Sequence, residues 1–412
     1  MKKKIYVRAP VLSQSGYGEQ SRFALRALRS REDLFEIYVS PIPWGKTGWI
    51  WQDNEFRQWM DSRIVETQLL IQQKQMNPDL SLQITIPNEF EKICPVNIGY
   101  TAGIETTKVA PQWLQKGNDM DRVLVVSNHA KETYQQTVAQ AKNPQTGEVF
   151  PYKLETPVDV VWETTPREEP EEIPGFQLPN SNNMLMVSQF SPRKNFVNAL
   201  RWWVEEFKND EIGLIVKTNV AGNCRMDLES TEETLAKILG EYSERKCKVH
   251  LLHGDLSAGQ MTWLYNHNQI NALVNIAHGE GFGLPMFEAA REGMPIVTIG
   301  WSGQLDFLEH DGKKYFEPVE HELKPVSQQA VWNGVIQADS SWAYADEDSY
   351  KSALRNVLRD SEGMKQRASE LKDIVLDKFD DQKLYDLFCD KVYGEKIELD
   401  NWLTELEDTF VE

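Results

Sequence analysis

Glu280 and Glu288 frame the segment Glu280-Gly281-Phe282-Gly283-Leu284-Pro285-Met286-Phe287-Glu288, two carboxylates on either side of a glycine-rich turn that opens a helix. Leu273-Val274-Asn275-Ile276 ahead of it reads as a short buried strand. Phe287-Glu288-Ala289-Ala290-Arg291-Glu292 reads as helix, with Pro285 in the first turn, where proline is tolerated. A strand, a glycine turn and a helix N-terminus together make an anion site, because free backbone N–H groups and the helix dipole converge on one point. Carboxylates at such a place accept hydrogen bonds from hydroxyls instead, and one carboxylate takes both hydroxyls of a vicinal diol. Phosphate and diols together specify a nucleotide, a sugar, or both.

Further candidates share this strand-to-helix placement. Ser191-Pro192-Arg193-Lys194-Asn195 puts two adjacent cations where a helix begins, suited to holding phosphate charge. Lys217 ends the strand Ile215-Val216-Lys217, at the carboxyl edge where ligands gather in open α/β sheets; a plain surface lysine is the competing reading. His253-Gly254-Asp255-Leu256-Ser257 joins a strand to a helix, with Ser257 suited to an N-cap. Ser15-Gly16-Tyr17-Gly18 stands in the same way after the first strand.

The E-x7-E spacing of Glu280 and Glu288, with the interior Gly-Phe-Gly-Leu-Pro and the trailing Glu292-Gly293-Met294-Pro295-Ile296-Val297, resembles the donor-site signature of the family-4 glycosyltransferases, retaining enzymes of the GT-B fold. Ser191–Asn195 resembles a variant of that family's phosphate motif, which elsewhere often reads Arg followed by Glu-Lys-Gly. The arginine common two residues after the strand is absent, which leaves open whether Arg193 replaces it, while Lys194 matches. The resemblance implies that Glu288 holds the ribose diol and Glu280 the donor sugar's hydroxyls, helped by the backbone of the turn through Gly281, Phe282, Gly283 and Leu284. Arg193 and Lys194 would hold the diphosphate, joined by Lys217, and Leu256 lies in a loop that packs on the base. Gly16 and Gly18 match, by position, a glycine loop that approaches the phosphate across the cleft. Glu280, Arg193 and Lys194 are then the catalytic candidates. On the acceptor side, Ile104-Glu105-Thr106-Thr107 with Trp113, Asp121 and Ser127 resembles a family stretch in which many relatives carry a histidine, which makes Glu105 an acceptor-site candidate. His129 reads as a capping or core residue.

These residues need strands that end together. Residues 5–7, 35–42, 82–86, 96–100 and 123–127 are apolar runs separated by helical stretches such as 19–29, the pattern of a parallel sheet covered on both faces. Residues 164–175, rich in Pro and Glu without periodicity, read as a linker. Alternation then restarts, with strands at 184–187, 213–217, 249–252, 273–276 and 296–299 and helices at 194–207, 231–242, 259–265 and 284–291. From about Asp346 onward the pattern is helical only. The expected architecture is α/β of the GT-B type, two Rossmann-like doubly wound domains facing across a cleft. Residues 1–170 form the acceptor domain and 171–375 the donor domain, and a C-terminal helical segment of about 376–412, including 383–392, packs back on the first.

A chain of 412 residues suits two such domains, and no apolar run approaches the roughly 20 residues of a membrane span. Lys2, Lys3 and Lys4 lead directly into a strand, and Cys94, Cys224, Cys247 and Cys389 are scattered, which points to a reducing, cytoplasmic setting. A net charge of −19 argues against broad non-specific binding to nucleic acid. Arg22, Arg26, Arg29 and Arg31 read as a solvated helix face, with a local basic patch for a nucleic-acid acceptor as the competing reading. Two D-x-D tripeptides, Asp119–Asp121 and Asp346–Asp348, stand before a strand and at a helix start, both structural places. The aromatic loop Trp44–Trp51 has no evident core duty; flat indoles stack on sugar rings and on nucleobases, so Trp49 and Trp51 are acceptor-side candidates beside the competing reading of a loop folded on its own domain. The function expected is retaining, metal-independent sugar transfer from a UDP- or GDP-linked donor, used as co-substrate with no other cofactor, to a carbohydrate or glycolipid-type acceptor. Alternatives are transfer to modified DNA bases or another non-carbohydrate acceptor, a GT-B sugar-phosphate synthase or epimerase, and a degenerate binding protein.

Overall fold

The computed structural model describes residues 2–220 and 222–394. The strands of the first half are β1 (Lys3–Ala9), β2 (Phe35–Pro41), β3 (Leu80–Ile84), β4 (Val96–Thr101), β5 (Arg122–Val125), the hairpin β6 (Ala139–Lys142) and β7 (Val149–Tyr152), and β8 (Val158–Val160). Its helices are α1 (Gly16–Ser30), α2 (Glu55–Gln72), α3 (Pro111–Asn118) and α4 (Asn128–Gln136). The second half has β9 (Asn183–Val187), β10 (Gly213–Lys217), β11 (Lys248–Leu252), β12 (Ile270–Asn275), β13 (Ile296–Ile299), the small hairpin β14 (Glu309–His310) and β15 (Lys313–Lys314), β16 (Glu317–Val319), and the hairpin β17 (His321–Pro325) and β18 (Ser341–Ala345). Its helices are α5 (Phe196–Phe207), α6 (Arg225–Gly240), α7 (Ala258–Tyr265), α8 (Leu284–Glu292), α9 (Leu305–Leu308), α10 (Glu347–Arg359) and α11 (Ser361–Lys378), and α12 (Asp381–Tyr393) follows.

Each half is built on a six-stranded parallel sheet, in the orders β2-β1-β3-β4-β5-β8 and β11-β10-β9-β12-β13-β16. Strand order reverses between β1 and β3 in one sheet and between β9 and β12 in the other. Loops at such a reversal part to opposite faces and leave a crevice at the carboxyl edge. One apolar cluster runs through both halves, from Ile5 and Phe23 to Leu185, Phe287 and Leu371; a second lies within the second half, and a third joins Trp113, Val123 and Tyr134 of the first half to Val326, Val335, Ile336 and Trp342 of the second. Helix starts follow side-chain caps: Ser15 accepts from the Gly18 amide, Ser127 from Ala130, and Ser257 forms a capping box with Gln260.

Several expected boundaries move for local reasons. β3 ends at Ile84 because Pro87 opens a 3-10 turn, and β5 ends at Val125 because Ser127 caps α4. The helix expected from Lys194 begins at Phe196: Pro192–Lys194 form a 3-10 turn and Asn195 sits at φ 50°, a left-handed conformation that Asn tolerates better than most residues. α2 has no counterpart in the pattern reading because its apolar stripe is faint, with only Met60 and Thr67 buried. Residues 164–175 carry no helix or strand, yet they are strapped down. Arg26 donates to the Thr164 carbonyl (3.1 Å), Arg291 to that of Thr165 (2.7 Å), and Arg167 pairs with Glu292 (2.7 Å).

α12 returns to the first half and lies on α1. Phe388 packs against Phe23 and Tyr100 at ring distances of 5.8 and 5.6 Å, and the Cys389 thiol donates to the Ala27 carbonyl. The part of the expected C-terminal segment at 395–412 lies outside the described residues. Phe388 is fully buried, so Phe388→Ala should cost about 3–5 kcal/mol, and urea unfolding should show a lowered midpoint.

Candidate functional site

The turn between β12 and α8 is shaped by what lies against it. A Cβ on Gly281 would stand 2.4 Å from the Ala102 carbonyl oxygen, on the loop after β4, so the second half approaches the first here backbone to backbone. Gly283 is the N-cap of α8 at φ 98°. Phe282 points away from the cleft into an aromatic group with Phe287 (5.2 Å) and Phe307 (5.1 Å). That anchor fixes the backbone on which Glu280 stands, and the Glu280 amide donates to Ser302 Oγ (2.8 Å).

Glu280 is buried and ion-paired with Lys194 at 2.5 Å, while Asn275, at the end of β12, donates to its other oxygen (3.3 Å). Arg193, on the 3-10 turn after β9, pairs with Glu105 from the first half. The structure therefore brings Arg193, Lys194, Glu280 and Glu105 into one cluster across the cleft. Burial pushes the Lys194 ammonium down to about 8, with the Arg193 charge adding to it, and Glu280 only partly opposes. Burial alone would raise the Glu280 carboxyl. The charges of Lys194 and Arg193 and its hydrogen bonds outweigh that and hold it below the usual range. Lys217 donates to the Gly254 carbonyl (2.6 Å), and burial lowers its ammonium too.

Glu288 sits one helical turn beyond Leu284 and accepts from the Tyr265 hydroxyl (3.0 Å); burial raises its carboxyl, with Arg291 and Tyr265 opposing. It borders a cavity of about 210 Å³ between the two halves, whose walls include Leu256, Met261 and Tyr265 on one side and Gln14, Arg22, Ile50 and Gln52 on the other. Ile50 faces inward because its amide donates to the Leu12 carbonyl and Trp49 forms a bridge with Ser13. That pairing turns Trp49 and Trp51 outward, where they are 70% and 61% exposed, while Trp44 packs on Tyr17 at 4.4 Å.

Gly16 and Gly18 occupy the first turn of α1 instead of a free loop. A Cβ on Gly18 would lie 1.9 Å from the Ser13 carbonyl oxygen, whereas Gly16 borders open space. The arginine cluster is a solvated face only in part, at Arg29 and Arg31. Arg22 is buried and donates to the carbonyls of Val11 and Ser13 and to Glu19, and Arg26 bonds the connector, because that side of α1 faces the cavity and not water. Arg29 and Arg31 pair with Glu55 and Asp33. His129 is half-buried edge-on to Trp301 (4.9 Å), and burial pushes it down to about 4, so it is neutral at pH 7. Asp121 accepts the Asn97 amide (2.8 Å) and Asp346 caps α10. Residues that pattern reading passed over include Asn275, Tyr265 and Tyr17. The Tyr17 hydroxyl lies 2.8 Å from Thr101 Oγ1 and is pushed by burial up to about 12. Each is a lone polar residue beside a motif, without a spacing signal of its own.

Two doubly wound parallel sheets facing across a cleft, with the site at their carboxyl edges, define a GT-B protein. The family described as "Family 4 Glycosyltransferase in conflict systems" matches residues 118–382, more than half of the chain, and the chain belongs to it: it is a nucleotide-sugar-dependent glycosyltransferase. No curated protein matches it in sequence. Among solved structures, Anabaena HepE in complex with UDP and glucose is similar at 12% identity and a TM-score of 0.56, over 95% of this chain and 99% of that one. Sucrose-phosphate synthase from Thermosynechococcus elongatus is similar at 12% identity and 0.58, over 99% and 100%. An E. coli trehalose-6-phosphate protein bound with UDP-2-fluoro glucose follows at 10% and 0.54, over 94% and 98%. At these identities the likeness shows the fold.

The Lys194 ammonium should lose its proton as pH rises through about 8, and with it the attraction for a diphosphate. Affinity for UDP or GDP, measured by calorimetry from pH 6.5 to 9.5, is expected to be flat below that value and to fall by up to about tenfold per pH unit above it. Lys194→Arg, which stays charged, should remove the alkaline limb.

Proposed function

We propose that the protein transfers a sugar, with retention at the anomeric carbon and without a metal, from a UDP- or GDP-linked donor to a carbohydrate or glycolipid-type acceptor. The observation that carries this reading is the pairing of Arg193 and Lys194 with Glu105 and Glu280 at the start of α8, with Glu288 a helical turn further on beside the cavity. Arg193 and Lys194 hold the diphosphate, Glu280 the sugar hydroxyls, and Glu288 the ribose diol. The cavity wall through Leu256 receives the base, Lys217 and Gly16 border the phosphates, and Gly18 closes the turn of α1 behind Gly16. Charge that develops on the leaving diphosphate meets preplaced cations in a site that excludes most water, and the leaving group itself serves as base for the incoming hydroxyl. The first sheet with residues 1–170 serves the acceptor, and residues 171–375 serve the donor.

Metal independence is supported by the structural duties of Asp121 and Asp346. The acceptor is argued from charge and aromatic exposure. A net charge of −19 disfavours a polyanion, and the early arginines that would have served one are engaged within the protein. Trp49 and Trp51 present indole faces on which a sugar ring stacks. Among the described residues no helix is long and apolar enough to cross a membrane, and the four cysteines are free.

The decisive experiment incubates the protein with a panel of nucleotide-sugars and simple acceptors and follows nucleoside diphosphate release and the product's anomeric configuration. Sugar-phosphate synthesis, epimerisation and binding without turnover each give a different pattern. Glu288→Ala is expected to weaken binding of the nucleoside diphosphate by about 1.5–3 kcal/mol, the worth of hydrogen bonds to a charged group; unchanged affinity in a folded variant would remove the ribose role. Turnover should persist in excess chelator. Loss of activity that manganese restores would count against the metal-free reading.

A further inference from the structure

Both cations of the site are already taken. Lys194 has Glu280, and Arg193 has Glu105, the latter reaching across from the loop after β4. The two pairs are not alike. Glu280 is held by Asn275 as well as by Lys194, on side chains only 7% and 14% exposed. Arg193 is 31% exposed against 13% for Glu105, so the cation is the open partner of the pair, and Glu105 has no other side-chain partner among the described residues. The backbones on either side are fixed. The Arg193 carbonyl accepts the His278 amide (3.1 Å), the Thr107 amide donates to the Ser341 carbonyl (2.9 Å), and a Cβ on Gly279 would stand 2.7 Å from the Glu105 carbonyl oxygen. Separating Arg193 from Glu105 therefore calls for side-chain rotation and not for opening of the cleft.

We propose that Glu105 is a positioning residue that occupies the Arg193 guanidinium until the donor's diphosphate displaces it, and that the released carboxylate then turns to the acceptor hydroxyl. This rests on the donor reading above. The four side chains carry no net charge, so a diphosphate entering the intact cluster would meet as much negative as positive charge. Taking Arg193 from Glu105 gives the phosphates a bidentate donor fork. It also leaves Glu105 beside like charge, and repulsion drives that carboxylate toward the first-half side of the cleft. The order of binding follows: donor first, then acceptor.

The test compares wild type with Glu105→Gln, using UDP, GDP and inorganic pyrophosphate as probes in calorimetry and steady-state transfer as a second readout. Glu105→Gln should bind the best of these probes about three- to tenfold more tightly, because the competing charge is gone, while the acceptor KM rises and kcat for transfer falls. In an Arg193→Gln background the same substitution should give no such gain. Glu105→Asp, one methylene short of Arg193, should show a smaller tightening and keeps the test available if Glu105→Gln does not fold. Unchanged or weaker probe binding in Glu105→Gln, or an undiminished gain when Arg193 is already absent, overturns the proposal. Failure of wild type and variants alike to bind any probe overturns the donor reading and this inference with it.

Discussion

The contact on which the rest depends is the approach of the turn at residues 279–283 to the loop at 102–105, with main chain against main chain. Apolar burial holds the halves together but does not specify their register to a fraction of an ångström; a contact that admits no side chain does. Phe282 and its ring partners fix one surface from behind, and the bonds between Thr107 and Ser341 fix the other. Only with both surfaces fixed can Glu105 and Arg193, more than eighty residues apart in the chain, meet in the same small volume.

That volume is electrostatically costly. Four ionised side chains stand in a partly dry cleft, where each loses hydration that its partner only partly replaces. The lowered proton affinity of Lys194 is a direct expression of this cost. Groups held so are poor sources of stability and good receivers of a charged ligand, since the backbones that carry them are already fixed and only an ion pair has to be exchanged. The buried arginines are different. Arg22 and Arg291 donate mainly to backbone carbonyls and thereby tie α1 and α8 to loops, a structural use of charge.

Much of this was legible in the chain itself. Parallel strands buried on both faces are written as apolar runs, so five of the six strands of each sheet could be read to within a few residues, while the edge strands β8 and β16, three residues each, are too short to leave a run. The segment from Glu280 to Glu288 announces a turn and a helix start through its own glycines and proline. What could not be read depended on orientation. The charge pattern of Arg22–Arg31 says nothing of which side of α1 meets water. The pair Arg193-Lys194 looks like a helical first turn until Asn195 is seen at a positive φ. Asn275 and Tyr17 are single polar residues whose roles exist only once two elements meet. α2 was invisible for the opposite reason, a helix on the surface that buries too little to leave a pattern.

The chain passes between the halves in two places, along the connector after β8 and again between α11 and α12. The two passages touch: Trp162 lies edge-on to Phe379 at 5.2 Å, and Phe379 in turn packs on Phe287 at 5.6 Å. Phe379 also lies 6.3 Å from Phe282, so one ring touches the first passage, the second passage and the turn of the site at once. The route by which the chain crosses between its halves and the backbone that carries Glu280 are thus tied in a single apolar knot, and a change that empties it loosens both together.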